Sequence, residues 1–249
     1  MKIVSVKNLS VSYQDNVALS KVNLDIYHDD FLGIIGPNGG GKTTLIKAIL
    51  GLLNYDGSIA YDASLNGRHG TVHIGYLPQQ NDFDRKFPIS VSEVVLSGLQ
   101  NKNGLTRRYT VQQREKCMRL LEMAGISDIV DRPISEISGG QLQRALLCRA
   151  IISDPKLLIL DEPANFVDNK FERELYEILR ELNKQMAIIM VSHDIGTITS
   201  VVKSIVCVNK HVHRHNSNTI TAEQLHNYDC PIQLVYHGEI PHTVLGSHK

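Results

Sequence analysis

The residues from 36 to 44 run Gly36, Pro37, Asn38, Gly39, Gly40, Gly41, Lys42, Thr43, Thr44. Glycines so placed let consecutive backbone N–H groups turn to the inside of one loop, where they cradle phosphate oxygens. Lys42, at the end of the loop, supplies a cation for the outer phosphates. The Thr43 hydroxyl suits a hard cation such as Mg²⁺. The plain alternative is a glycine turn ahead of a helix. The spacing G-x₄-G-K-T, between an apolar run and a helical pattern, favours the phosphate loop.

Two carboxylates and a histidine complement that loop. Asp161 follows four apolar residues in "LLILDEP", so it emerges at the C-terminal edge of a buried strand, where open parallel sheets bind ligands. Asp161 suits Mg²⁺ coordination, and Glu162 can orient or deprotonate an attacking water. His193 ends the next apolar run, "MAIIMVSHD", at the same edge, within reach of a terminal phosphate. A second anion site is written at 138–141: Ser138, Gly139, Gly140 and Gln141 open a helix read over 141–152, and a helix N-terminus presents free N–H groups and a positive dipole end.

The elements that must hold these residues follow from periodicity. "KIVSVKNLSVSY" and "VALSKVNLDIY" alternate as half-buried strands do, and "FLGIIG" at 31–36 is a fully buried one. Leu45, Ile46, Ile49 and Leu53 then recur at helical spacing. "HIGYLPQQ" predicts a strand ending near Pro78. Ser90-x-x-Glu93 is a capping box, and from there to about 132 the pattern is helical, with Met118, Leu121 and Ala124 on one face. "FERELYEILREL" is amphipathic, with Phe171, Leu175, Ile178, Leu179 and Leu182 on one stripe. "SIVCVNKHVHRH" reads as an edge hairpin, and the last twenty or so residues give no clear pattern. The alternation of strands and helices predicts an α/β fold with a parallel sheet, an N-terminal antiparallel β subdomain and an inserted helical subdomain. On that reading 1–84 and 138–210 form the core, 85–137 the helical lobe and 211–249 a C-terminal extension.

Composition narrows the function classes. The chain has 249 residues, 42% of them apolar, enough for a proper core. Lys plus Arg and Asp plus Glu balance at 26 each, which argues against a nucleic-acid binder. None of the four cysteines stands in a C-x-x-C pair, and three fall in apolar periodic segments, the setting of buried thiols in a reducing compartment. "MKIVSVKNLS" has no apolar signal core. The longest apolar runs, such as 187–191, fall far short of a membrane span.

With these motifs together, the chain resembles the ATP-binding subunit of an ABC transporter over nearly its whole length. "SGGQ" at 138–141 resembles the family signature, with Ile137 where leucine is commoner. The resemblance implies a P-loop ATPase that binds ATP and Mg²⁺. Tyr13 would stack on adenine, Gln79 would serve as the Q-loop glutamine near Mg²⁺, and Asp168 would be the D-loop aspartate, although "ANFVD" departs from the commoner small-residue loop. It also implies a homodimer in which each chain's 138–141 stretch closes over the other's ATP. That dimer would sit on the cytoplasmic face of a bacterial membrane, beside a separate permease and, indirectly, a solute-binding protein. "GPNGGGKTTLIKAILGLL", "NDFDRKFPISVSEVVLSGL" and "CPIQLVYHGEIPHTVL" are similar to the zinc, manganese and iron uptake branch, with zinc foremost. Two alternatives stay open. One is a subunit for another solute such as a siderophore. The other is a soluble non-transport ABC ATPase, which would usually carry two such domains or a coiled-coil insertion.

His211, His213 and His215 alternate, so a strand would place them on one face, where imidazoles can bind zinc. The simpler expectation, an exposed polar strand, is the one we adopt, and no metal ligand is assigned there.

Overall fold

The computed structural model describes residues 1–14, 16–66, 72–79, 87–99, 109–163, 169–192, 195–218, 233–237 and 240–244. The chain opens with two long antiparallel strands, β1 (Lys2–Tyr13) and β2 (Asn16–Tyr27). These are followed by β3 (Phe31–Ile35), the helix α1 (Lys42–Ile49), β4 (Asp56–Tyr61) and β5 (Gly75–Leu77). Helices α2 (Val91–Leu96), α3 (Val111–Met123) and α4 (Gly139–Ile151) come next. The remainder runs β6 (Leu157–Asp161), α5 (Asn169–Leu182), β7 (Ala187–Val191), α6 (Ile195–Val201), β8 (Ser204–Asn209), β9 (His211–His215), β10 (Gln233–His237) and β11 (Ile240–Val244).

Among the described residues the strands form three sheets: β2-β1-β4, all antiparallel; β5-β6-β7-β3-β8-β9, parallel except for β9; and the hairpin β10-β11. The six-stranded sheet is buried on both faces, which is why its central strands read as unbroken apolar runs. Along β6, Leu157 and Ile159 join the core shared with α1 and the antiparallel sheet, while Leu158 and Leu160 join the core shared with α2, α3 and α4. Each such fully buried leucine or isoleucine stabilises the fold by about 1.5–3 kcal/mol. The second core continues through Val91, Val94, Cys117, Leu121, Ala124 and Leu142, so the helical segment and the sheet share one apolar interior.

Local signals explain the ends of the helices. The Ser90–Glu93 capping box forms as the sequence predicts, and Thr110 with Gln113 makes another ahead of α3. Leu121 and Ala124 are buried and Met118 packs beside them. Helix α1 stops at Ile49, short of Leu53, because Gly51 turns the chain at φ 70. Helix α5 buries Leu175 and Leu179, with Ile178 and Leu182 half-buried; Phe171 of the predicted stripe lies outside the described side chains.

The edge hairpin is present as β8 and β9, but its face is not a simple exposed one. His215 is only 7% exposed and His213 half-buried, because they sit opposite Ile205 and Cys207 on the inward side. Burial lowers the pKa of both imidazoles, His211 adding to the effect on His213 and His213 to that on His215. The other face of β9 carries Arg214. Its guanidinium pairs with the Asp30 carboxylate at 2.7 and 3.1 Å, donates to the Asp25 carbonyl at 2.6 Å and lies over the Tyr27 ring. This fork ties the sheet edge to the end of β2.

Candidate nucleotide site

The parallel strands β3, β5, β6 and β7 all end at one edge of the sheet, and the site is built there. Strand β3 leads into the glycine loop. Gly36 takes φ 152, and a Cβ on it would lie 2.0 Å from the Val208 carbonyl oxygen, so the loop presses directly on β8. Gly41 takes φ 102 at the start of α1. The Gly40 carbonyl accepts from the Lys210 N–H at 2.9 Å, and the Lys210 carbonyl accepts from the Ser20 N–H at 2.8 Å. The turn between β8 and β9 thus pins the loop from outside.

Lys42 folds back into this loop. Its Nζ donates to the carbonyls of Gly36 at 2.8 Å and Pro37 at 2.9 Å, and the residue is 8% exposed. Burial pushes its pKa down, and the nearby Glu162 and Asp161 carboxylates push it back up.

Strand parity aims the acids. Asp161 shares the side of β6 occupied by Leu157 and Ile159, the α1 side, and is 5% exposed. Glu162 then leaves the strand at φ 54, its N–H donating to the Val191 carbonyl at 3.0 Å. Two residues beyond β5, Gln79 Nε2 donates to Glu162 Oε2 at 2.9 Å. A cavity of about 520 Å³ collects Asn38, Gly39, Gly41, Lys42, Thr43, Thr44, Gln79, Asp161, Glu162 and Val191. Sequence reasoning passed over Val191, which closes the cavity simply as the last residue of β7. Gly36, Pro37 and Gly40 belong to the same loop but do not line the cavity.

Other residues singled out in the sequence lie elsewhere. Tyr13, at the end of β1, is 53% exposed and does not line the cavity. Ser138 caps α4, which begins at Gly139 rather than 141 because a capping box forms: Ser138 Oγ accepts from the Gln141 N–H, and Gln141 Oε1 accepts from the Ser138 N–H. Ser138, Gly139, Gly140 and Gln141 do not line this chain's cavity, and Ser138 is exposed. His193 and Asp168 fall outside the described residues. Among the described residues, no group of three or more His, Cys, Asp or Glu side chains is arranged to hold a metal ion, and no helix is long and apolar enough to cross a membrane.

A glycine loop, a lysine folded into it and two carboxylates gathered at one cavity make an arrangement that can hold nucleotide phosphates. Residues 19–165 match the family model described as ABC transporter, and the chain belongs to that family. It is an ATP-binding, ATP-hydrolysing cassette. A metal transport system ATP-binding protein of Thermotoga maritima is 39% identical over 97% of this chain and 98% of its own length. The zinc uptake system ATP-binding protein ZurA of Listeria innocua is 39% identical over 85% of this chain and 84% of its own. The structure of a metal-chelate type ABC transporter, in an inward-facing conformation, superposes with a TM-score of 0.80 at 26% identity, over 98% of this chain and 96% of that one.

Proposed function

We propose that this cassette energises import of a divalent metal ion, zinc foremost, through a separate membrane permease. The observation that carries the ATPase part is the convergence of Lys42, Thr43, Gln79, Asp161 and Glu162 on one cavity. The metal cargo is supported by the metal and zinc systems to which the relatives belong, since the motor residues themselves carry no information about cargo.

In this reading the glycine loop from Gly36 to Thr44 holds the ATP phosphates through its backbone amides. Lys42 gives up its two loop carbonyls for phosphate oxygens, and Tyr13 offers its exposed ring to the adenine. The donor set fits Mg²⁺: the Thr43 hydroxyl, the Asp161 carboxylate and the Gln79 amide are all hard oxygen ligands at one cavity. When bound, Mg²⁺ neutralises charge on the phosphates. Glu162 orients the attacking water and accepts its proton, and His193 supports the terminal phosphate. Positioning and charge neutralisation provide most of the rate, because phosphoryl transfer needs little covalent help.

A homodimer is supported by the 138–141 stretch, a capped helix start that does not line its own chain's cavity. Its helix end would serve the ATP of a second copy, with Asp168 at the same junction. The dimer would lie on the cytoplasmic face of the membrane against its permease, with a solute-binding protein delivering cargo from the other side.

The test is growth of a strain lacking this chain in chelator-treated medium, with zinc, manganese or iron returned singly. Restoration by trace zinc, only when the chain is present, is the expected result. A defect corrected only by a chelated metal would favour the second reading, a metal-chelate importer, which the structural likeness supports. Growth unaffected by any metal limitation would remove the metal cargo.

A further inference from the structure

Helix α4 and the chain just beyond Glu162 are joined by a buried hydrogen bond that the mechanism above does not use. Gln143 lies five residues past Ser138 and is 2% exposed. Its Nε2 donates to the Pro163 carbonyl at 3.1 Å. A carbonyl only accepts, so the nitrogen end of the amide is the end that must face it. Its neighbours Leu142, Ala145 and Leu146 on α4 are buried as well, and its Oε1 finds no hydrogen-bond partner among the described residues. Burying an amide costs free energy, which the bond to Pro163 offsets only in part.

What Gln143 grips is the residue after Glu162. Glu162 sits at φ 54, a left-handed conformation that a residue bearing a Cβ keeps only when its surroundings impose it. Three contacts do so: the Glu162 N–H to the Val191 carbonyl, the Gln79 amide to the Glu162 carboxylate, and the Gln143 amide to the Pro163 carbonyl. The first comes from β7, the second from the segment after β5, and the third from α4, whose first turn is the 138–141 stretch.

We propose that Gln143 is a positioning residue for hydrolysis, which ties the chain direction after Glu162 to helix α4. A shift of α4 as its N-terminus engages the ATP of a second copy is thereby felt at Glu162 of the chain's own site. This rests on the reading of Glu162 as the water-orienting group.

The test uses the purified full-length chain, with steady-state ATP hydrolysis and equilibrium binding of a fluorescent ATP analogue measured side by side. Gln143→Met keeps length and packing without the donor. Gln143→Leu also lacks the donor and carries no ionisable group into the core; circular dichroism shows which variants are folded, and either suffices. The expected result is a kcat lowered about 10- to 100-fold with KM for ATP within about twofold of wild type. Combining Gln143→Met with Ser138→Ala should lower kcat by less than the product of the single losses, since both act through α4. Wild-type kcat in a folded variant, a loss confined to KM, or strictly multiplicative losses would each overturn the proposal. A wild-type chain that binds ATP but never hydrolyses it defeats the reading of Glu162 itself, and this proposal with it.

Discussion

Gln79 and Glu162, 83 residues apart in the chain, meet at 2.9 Å, the glutamine amide donating to the carboxylate. One oxygen of the acid that is to orient water is therefore already engaged by the residue that is to approach Mg²⁺. In the proposed mechanism the oxygen of the same amide would be the end offered to Mg²⁺, while its nitrogen can stay on Glu162. Gln79→Glu removes that donor and sets two carboxylates at hydrogen-bond distance. Like charges raise the pKa of one of them, and a base must be deprotonated to act. The acidic limb of the pH–rate profile should move to higher pH, and an unmoved limb would show that Glu162 does not feel residue 79.

Glu162→Gln should bind ATP and hardly turn it over, with phosphate release falling about 10²- to 10⁴-fold. Sedimentation should show the variant accumulating as a dimer with ATP and dissociating with ADP. A monomer under ATP, with and without the permease, would contradict closure across two copies.

Lys42 is buried and bonded to two loop carbonyls; burial lowers its pKa, and the Glu162 and Asp161 carboxylates work against that. Lys42→Ala should leave the folded chain intact and abolish its response to nucleotide. At a hundredfold excess over Kd, ATP with Mg²⁺ stabilises a binding-competent chain by about 2.7 kcal/mol. A thermal-shift experiment should show that gain in the wild type and none in the variant.

Gly36→Ala is expected to fail through the fold rather than the chemistry. The new Cβ meets the Val208 carbonyl at 2.0 Å, a backbone atom that cannot rotate away. Overpacking of this kind costs about 1–3 kcal/mol or more. Urea denaturation should show the loss even without nucleotide, in contrast to Lys42→Ala.

Burial raises the Cys117 thiol to about 11 and the Cys148 thiol to about 12. Iodoacetamide at pH 8 should therefore modify neither in the native chain, and both after unfolding. The linkage has a definite sign. An unfolded thiol ionises near its ordinary value of 9.0 while the folded ones hold their protons, so their contribution to stability is intact below pH 9 and is lost as pH rises towards 12.

Much of the site was legible because its chemistry is local. The glycine loop needs glycines at positive φ a few residues apart, and the capping boxes at Ser90 and Ser138 need partners three residues away. Asp161 was placed at a strand end by four apolar neighbours, since a strand buried on both faces must be apolar until it emerges. Relations across the sequence were not legible. Nothing near Gln143 announces Pro163, and nothing near Lys210 announces Gly40. The expectation of an exposed histidine strand went astray for the same reason: alternation put His213 and His215 on one face, but only the pairing with β8 turned that face towards Cys207 and the interior.

The sequence by itself determined the order of elements, the glycine loop, the place of Asp161 at a strand end and the capped start of α4, because periodicity, glycine conformation and hydrogen bonding act over a few residues. Tertiary structure alone decided that Gln79 would meet Glu162, that Val208 would press on Gly36 and that α4 would grip the chain beyond Glu162. Those contacts depend on strand order and on which face each strand presents, and both are set only when the cores on the two sides of the sheet close together.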